Sequence, residues 1–207
     1  NTKEICQEAI SRKEYNLPEK GFVFTSFCAN KKITPKEFDI WMRLLTKVKG
    51  SVLWLSKSNL YSMENLIKEA EKRNIDQNRV IFANKLPLLK KHLARYSLGD
   101  LGLDTFNFNG HTTTSDALWS GLPVLTKIGE SFAARVSASI LNSIGLTELI
   151  TNSEKEYEEK ALYIAENPEK LINLKSQLAK LRKTSTLYNS ELFTRNLEDK
   201  LMELNSK

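Results

Sequence analysis

The stretch Leu101-Gly-Leu-Asp-Thr-Phe-Asn-Phe-Asn-Gly-His-Thr-Thr-Thr-Ser-Asp116 passes from an apolar strand, through a polar loop holding one glycine, into a helix that opens near Thr112. A helix start presents unpaired backbone N–H groups and the positive end of a dipole, which suits a phosphate. His111, Thr112 and Thr113 add side-chain donors at that point. Asp116, about one turn further in, is placed to reach a ribose hydroxyl on a bound nucleotide. The same residues have an ordinary reading. Thr113 with Asp116 three positions on is a capping-box pattern, and such boxes start many helices that bind nothing.

Outward from this stretch the pattern alternates. Phe22-Val-Phe-Thr-Ser-Phe27 reads as a strand, and Pro35 opens a helix whose stripe is Phe38, Trp41, Leu44, Leu45 and Val48. Ser51-Val-Leu-Trp-Leu55 is a second strand, followed by a helix marked by Met63, Leu66, Ile67 and Ala70. Val80-Ile-Phe82 is a short third strand, and the helix after Pro87 carries Leu89, His92 and Leu93. Gly121-Leu-Pro-Val-Leu-Thr126 gives a turn and a fifth strand, Phe132 to Leu141 a helix ending near Gly145, and Leu149-Ile150 a last short strand. Strands joined to helices by short connections predict an α/β fold with a parallel sheet covered on both faces, a doubly wound, Rossmann-like domain. The strands are apolar throughout rather than alternating, as buried parallel strands are. Ligands in such sheets sit outside the carboxyl ends of the strands. Lys32, Leu86, His92 and the 107–116 loop all fall at that edge.

From Ser153 onward the chain reads as charged helices. Tyr157, Ala161, Ile164 and Ala165 form one stripe, Leu171, Leu174, Leu178 and Leu181 a second, and Phe193, Leu197, Leu201 and Leu204 a third. Three consecutive helices cannot all pack on a sheet already covered, so part of this tail is expected to reach towards a partner domain. The expected organisation is an N-terminal helix and linker over residues 1–20, the sheet domain over 21–150 and a helical extension over 151–207. The N-terminal residues Asn1-Thr-Lys-Glu4 are charged and hold neither an apolar signal core nor an initiator Met. The chain therefore reads as a piece of something longer.

Composition narrows the function. At 207 residues, 41% hydrophobic and 27% charged, the chain is long enough to bury a core without staples. No apolar run approaches the roughly 20 residues of a membrane span. Cys6 and Cys28 form no CxxC, which excludes a zinc ribbon or thioredoxin-type site, and two thiols suit a reducing cytoplasm. His92 and His111 have no paired spacing, so no His-based metal site is expected. The net charge of +6 is spread along the chain and interleaved with Glu. No basic helix stripe points to nucleic acid, whereas a modest cationic excess suits a phosphate-bearing small molecule.

Asn109-Gly-His-Thr-Thr113, Asp116, Leu118-Trp119, Gly121-Leu-Pro123, Gly129-Glu130 and Arg135-Val136 resemble the C-terminal half of the catalytic region of O-GlcNAc transferases and of the SPINDLY-like members of glycosyltransferase family 41. Ile33-Thr-Pro35 with Trp41, Ser51-Val-Leu-Trp-Leu55, Asn78-Arg-Val-Ile-Phe82 and Leu187-Tyr-Asn189 with Phe193 fit the same pattern. The resemblance runs from about Arg12 to near Leu204.

The resemblance implies the nucleotide-sugar half of a GT-B fold. By it, Lys32 stands where the family places a lysine on the donor's diphosphate. His111, Thr112 and Thr113 stand where the diphosphate meets a helix start, and Asp116 where the ribose is gripped. His92 and the backbone near Leu86 stand where the uracil is held. Lys32 and His111 would then stabilise the leaving diphosphate in an inverting transfer that needs no metal and no cofactor beyond the donor, UDP-GlcNAc, GDP-fucose or a relative. The acceptor, a protein Ser or Thr, would be held by an N-terminal half and tetratricopeptide repeats outside this chain, which shows no 34-residue repeat. This chain alone would bind nucleotide weakly and transfer nothing. It departs from the pattern at Cys28, Ala29, Asn30 and Lys31, where the family often has Asn or Gln and an aromatic, and at Leu88, where a lysine stands beside the base. Two other readings stand beside this one: a different GT-B enzyme (a lipid or polysaccharide transferase, or a sugar-nucleotide epimerase), and a non-catalytic nucleotide-sugar-binding module.

Overall fold

The computed structural model describes residues 3–205. Among these residues six strands form one sheet: β1 (Val23–Ser26), β2 (Val52–Ser56), β3 (Val80–Ala83), β4 (Leu101–Leu103), β5 (Val124–Lys127) and β6 (Ile150–Thr151). All neighbours pair in parallel, in the order β3-β2-β1-β4-β5-β6. The chain starts in the middle, winds one way to β3, then returns to lay β4 on the other side of β1. That reversal opens a crevice outside the carboxyl ends of β1 and β4, the place where doubly wound sheets bind ligands. Consecutive residues of β1 and β2 are all buried, from Val23 to Ser26 and from Val52 to Leu55. Side chains alternate between the two sides of a strand, so both faces of the sheet are covered.

Among the described residues eight α-helices accompany the sheet: α1 (Pro35–Lys47), α2 (Leu60–Glu71), α3 (Leu89–Arg95), α4 (Thr112–Trp119), α5 (Val136–Ile144), α6 (Glu154–Glu166), α7 (Pro168–Thr184) and α8 (Ser190–Asn205). Their starts follow local chemistry. Pro35 occupies the first turn of α1, and the Glu37 carboxylate takes both the Thr34 N–H, at 2.8 Å, and the Thr34 hydroxyl. Asn59 caps α2 by accepting the Ser62 N–H at 2.9 Å. Gly145 ends α5 in the left-handed region, φ +85°, which costs a residue without Cβ nothing.

One core cluster joins the sheet to Trp41, Tyr157, Ala161, Ile164, Leu174 and Leu178, so α6 and α7 belong to the same packed body as the strands. In contrast, α8 buries no residue and leaves Phe193, Leu197, Leu201 and Leu204 exposed. The N-terminal stretch differs from the expected helix and linker. Within residues 3–20 the regular structure is one 3-10 turn, Lys13–Tyr15. Asn16 turns into the left-handed region directly after it, and Pro18 follows, so a helix cannot continue. The segment before that turn has no regular structure and is anchored by its side chains and backbone: Cys6 N–H donates to Lys90 O at 3.1 Å, and Lys91 pairs with Glu8 at 3.0 Å. Among the described residues no helix is long and apolar enough to cross a membrane.

Candidate functional site

The loop after β4 is held from beneath by Asp104. Its carboxylate accepts the N–H of Thr105 at 2.9 Å, the N–H of Gly110 at 2.6 Å and the hydroxyl of Thr126 at 2.7 Å. Asp104 is buried, and burial pushes its carboxyl up from 3.8 to about 6 despite those donors. Tyr157, reaching in from α6, donates its hydroxyl to the Asp104 carbonyl at 3.2 Å. Gly110 packs flat on the helix it precedes: a Cβ there would meet Thr114 Oγ1 at 2.5 Å. Ser137 from α5 closes the far side, donating to Gly110 O at 2.7 Å and lying 2.8 Å from Thr114 Oγ1. The loop thus delivers the start of α4 to a fixed position.

That start is uncapped. The residue preceding the helix is His111, and its side chain makes no cap hydrogen bond. Thr113 and Asp116 therefore sit inside the helix, and the capping-box reading of the pair does not apply. The amides of the first turn keep their hydrogen-bonding capacity, with Thr112 exposed and Thr113 half-buried beside them.

Lys32 comes from the other side of the crevice. It ends the 3-10 turn Asn30–Lys32 after β1, and its Nζ donates to Asn109 O at 2.9 Å. Lys32 and His111 thus share one edge, with the Phe108 ring between them. The Lys32 ammonium lies 3.9 Å from the ring centroid, and the His111 ring stacks on Phe108 at 4.9 Å. Phe108 is 44% exposed, so one side of its ring already meets solvent. His111 also places Nε2 3.5 Å from Ala133 O and meets the exposed Phe132 ring edge-on.

His92 on α3 packs against Phe27 and Tyr96. Burial, then the nearby Arg95 guanidinium, hold its pKa below the usual imidazole value. Arg95 Nη2 lies 2.6 Å from His92 Nδ1, so Nδ1 accepts and the proton of the neutral ring sits on Nε2. Leu86 lies in the loop between β3 and α3, half-buried, close to Asn84, whose carbonyl accepts from Arg95 Nη1 at 2.5 Å. Asp116 is buried and pairs with Lys3 from the N-terminal segment, while Trp119 Nε1 donates to Lys3 O at 2.9 Å. Among the described residues no group of three His, Cys, Asp or Glu side chains could hold a metal ion.

Against known proteins, residues 2–197 match the family model described as glycosyl transferase family 41. The chain belongs to glycosyltransferase family 41. Within family 41 it is 34% identical over 194 residues to a UDP-N-acetylglucosamine–peptide N-acetylglucosaminyltransferase of Caenorhabditis elegans, covering 94% of this chain and 17% of that protein. To a probable enzyme of the same description, SPINDLY, from Solanum lycopersicum it is 36% identical over 183 residues, 86% of this chain and 20% of that one. An O-GlcNAc transferase point mutant from Thermobaculum terrenum superposes with a TM-score of 0.82 at 29% identity, over 87% of this chain and 35% of that chain. The chain spans about a fifth of the length of these two curated relatives. The family 41 membership and the six-stranded parallel sheet fit the C-terminal half of a GT-B glycosyltransferase.

Four residues that shape this edge of the sheet carry no motif of their own. Phe108, Ser137 and Lys3 are visible only through their contacts, and Asp104 announces itself in sequence only as a carboxylate closing an apolar strand.

Proposed function

We propose that this chain is the donor-binding half of a protein O-glycosyltransferase that moves a sugar from UDP-GlcNAc or a related nucleotide sugar to Ser or Thr of protein acceptors. The observation that carries this reading is the uncapped start of α4 facing the Lys32 ammonium across the β1/β4 crevice. Cleavage of the sugar–phosphate bond leaves negative charge on the diphosphate. Fixed amides at a helix start, the Thr112 and Thr113 hydroxyls, His111 and Lys32 are donors aimed at that charge, and donors already in place need no reorganisation as it develops. The transfer is accordingly read as inverting and metal-independent. Asp116 would take the ribose, and His92 with the backbone at Leu86 the base.

Two contacts must give way when the donor enters. Phe108 leaves its position between Lys32 and His111, and Lys3 releases Asp116. The acceptor groove and the repeats that present it belong to the rest of the parent protein, and the apolar stripe of α8 is offered to that remainder. The parent acts in the cytoplasm, on proteins rather than nucleic acid or membrane.

Calorimetric titration of UDP, GDP and their sugars into the 207-residue chain tests the site. Wild type should bind UDP or GDP, and Lys32→Ala and Asp116→Ala, checked as folded by circular dichroism, should lose most of the heat. Equal heats from all three proteins would remove the site. The chain alone should show no transfer to a peptide, and turnover by it would refute the division of labour.

A further inference from the structure

Residues 3–11 hold no regular structure, yet they lie across α3 and α4, the two helices that carry His92 and Asp116. One end of this stretch is pinned. The Arg12 guanidinium donates to Gly21 O at 2.8 Å and to Leu98 O at 3.2 Å, and pairs with Asp100 at 2.8 Å. From there back to Lys3 the ties are lighter. Ile10 and Ile5 pack half-buried against the core, Glu8 pairs with Lys91 in solvent, and Cys6 N–H donates to Lys90 O at 3.1 Å. Segments held by few buried apolar groups and by exposed hydrogen bonds open at low cost.

Lys3 is gripped at both ends of the residue. Its ammonium pairs with the Asp116 carboxylate, and its carbonyl accepts from Trp119 Nε1 at 2.9 Å. Asp116 and Trp119 are three positions apart on α4 and so share one face of the helix, which Lys3 covers. With the ammonium against it, the Asp116 side chain is 9% exposed. A carboxylate taken out of water needs a counter-charge or hydrogen-bond donors. Lys3 supplies the first, and the two hydroxyls of a ribose diol would supply the second. A carboxylate this enclosed takes one or the other. Swinging the ammonium aside does not by itself open the place, because the Lys3 backbone stays bonded to Trp119 and keeps the stem of the side chain over the helix.

We propose that residues 3–8 are a strap closed over the ribose end of the crevice, with the Lys3 ammonium standing where a nucleoside diol binds. A nucleotide enters as the strap lifts about the fixed Arg12 end. This rests on the donor-site reading and adds a regulation to it: residues that touch no nucleotide set its affinity by how firmly they hold the strap.

Amide exchange, read residue by residue in nitrogen–proton spectra of the 207-residue chain with and without saturating UDP, tests it. The Cys6 N–H should exchange about tenfold faster or more in the UDP complex. The Leu17 N–H, bonded to Arg12 O at 2.9 Å, should keep its rate. Trp119→Phe keeps an aromatic ring on Tyr188 and loses the bond to Lys3 O, while Cys6→Pro loses the bond to Lys90 O. Each should tighten UDP by about threefold in calorimetry, although neither residue is assigned to the nucleotide. A Cys6 amide that keeps its rate in the UDP complex, or a variant of either kind that binds UDP no more tightly than wild type, overturns the strap and leaves the donor site standing. No UDP heat from wild type removes the donor reading, and the strap with it.

Discussion

Replacing Asp104 by asparagine should remove a pH dependence that the buried carboxyl imposes on folding. The carboxyl is raised from 3.8 to about 6 in the folded chain, which corresponds to about 3 kcal/mol at about 1.4 kcal/mol per pH unit. The sign follows from proton uptake. Below pH 3.8 folded and unfolded chains both hold the proton, and the protonated carboxyl contributes its full stability. Above that value the unfolded chain has released the proton while the folded one still holds it, so stability falls as pH rises, until the folded group ionises near pH 6. The asparagine of the variant is neutral throughout. Its amide oxygen can still accept from the Thr105 and Gly110 N–H groups, and its NH₂ can donate to Thr126 Oγ1. Urea unfolding followed by tryptophan fluorescence, run on both proteins from pH 4 to pH 7, isolates the difference, because every other titrating group cancels. Wild type should lose about 2.4 kcal/mol of that relative to Asp104→Asn across that range. Parallel stability curves, or a wild type that gains on the variant as pH rises, would refute the burial argument.

Lys3→Ala should tighten UDP binding by about two- to fivefold in calorimetry, because a partly exposed ion pair of about 0.5–1 kcal/mol no longer competes for Asp116; unchanged or weaker binding would show that Lys3 does not compete. Gly110→Ala places a Cβ 2.5 Å from Thr114 Oγ1 and 3.3 Å from Cys28 Sγ, and should cost about 1–3 kcal/mol in urea unfolding together with lower nucleotide affinity. Tyr157→Phe removes the hydroxyl that donates to Asp104 O and lies 3.4 Å from Trp41 Nε1; the loss should be about 1–2 kcal/mol, and a neutral result in urea unfolding would show that water replaces both contacts.

The sheet was legible because its signals are local. Val52 to Leu55 is a continuous apolar run, Pro35 marks a helix start and Gly145 a helix end, and short connections allow little besides parallel winding. The placement of Lys32 and His111 at one edge followed from topology, since both lie just beyond strand ends that neighbour each other. What surrounds them was not legible. Phe108 is one aromatic in a polar loop, and nothing in its neighbours says that its ring will stand between a lysine and a histidine. The pairing of Asp116 with Lys3 spans 113 positions, and no periodicity encodes so distant a contact. Thr113-x-x-Asp116 has the spacing of a box, but the helix begins one residue before Thr113, so spacing alone does not fix which turn is first. The expected N-terminal helix failed for a related reason: residues 3–12 are held by tertiary contacts, and helix preference is weak against those.

Tyr157 lies beyond the last strand, yet its hydroxyl holds up the loop that carries Gly110 and His111. A recombinant protein stopped at residue 152, just past the last strand, would expose Trp41 and strip the floor from the turn that carries Gly110 and His111. Fusion points, truncation series and split-protein designs for this unit therefore belong after Asn189, past the turn that packs Tyr188 on Trp119, since α8 buries no residue.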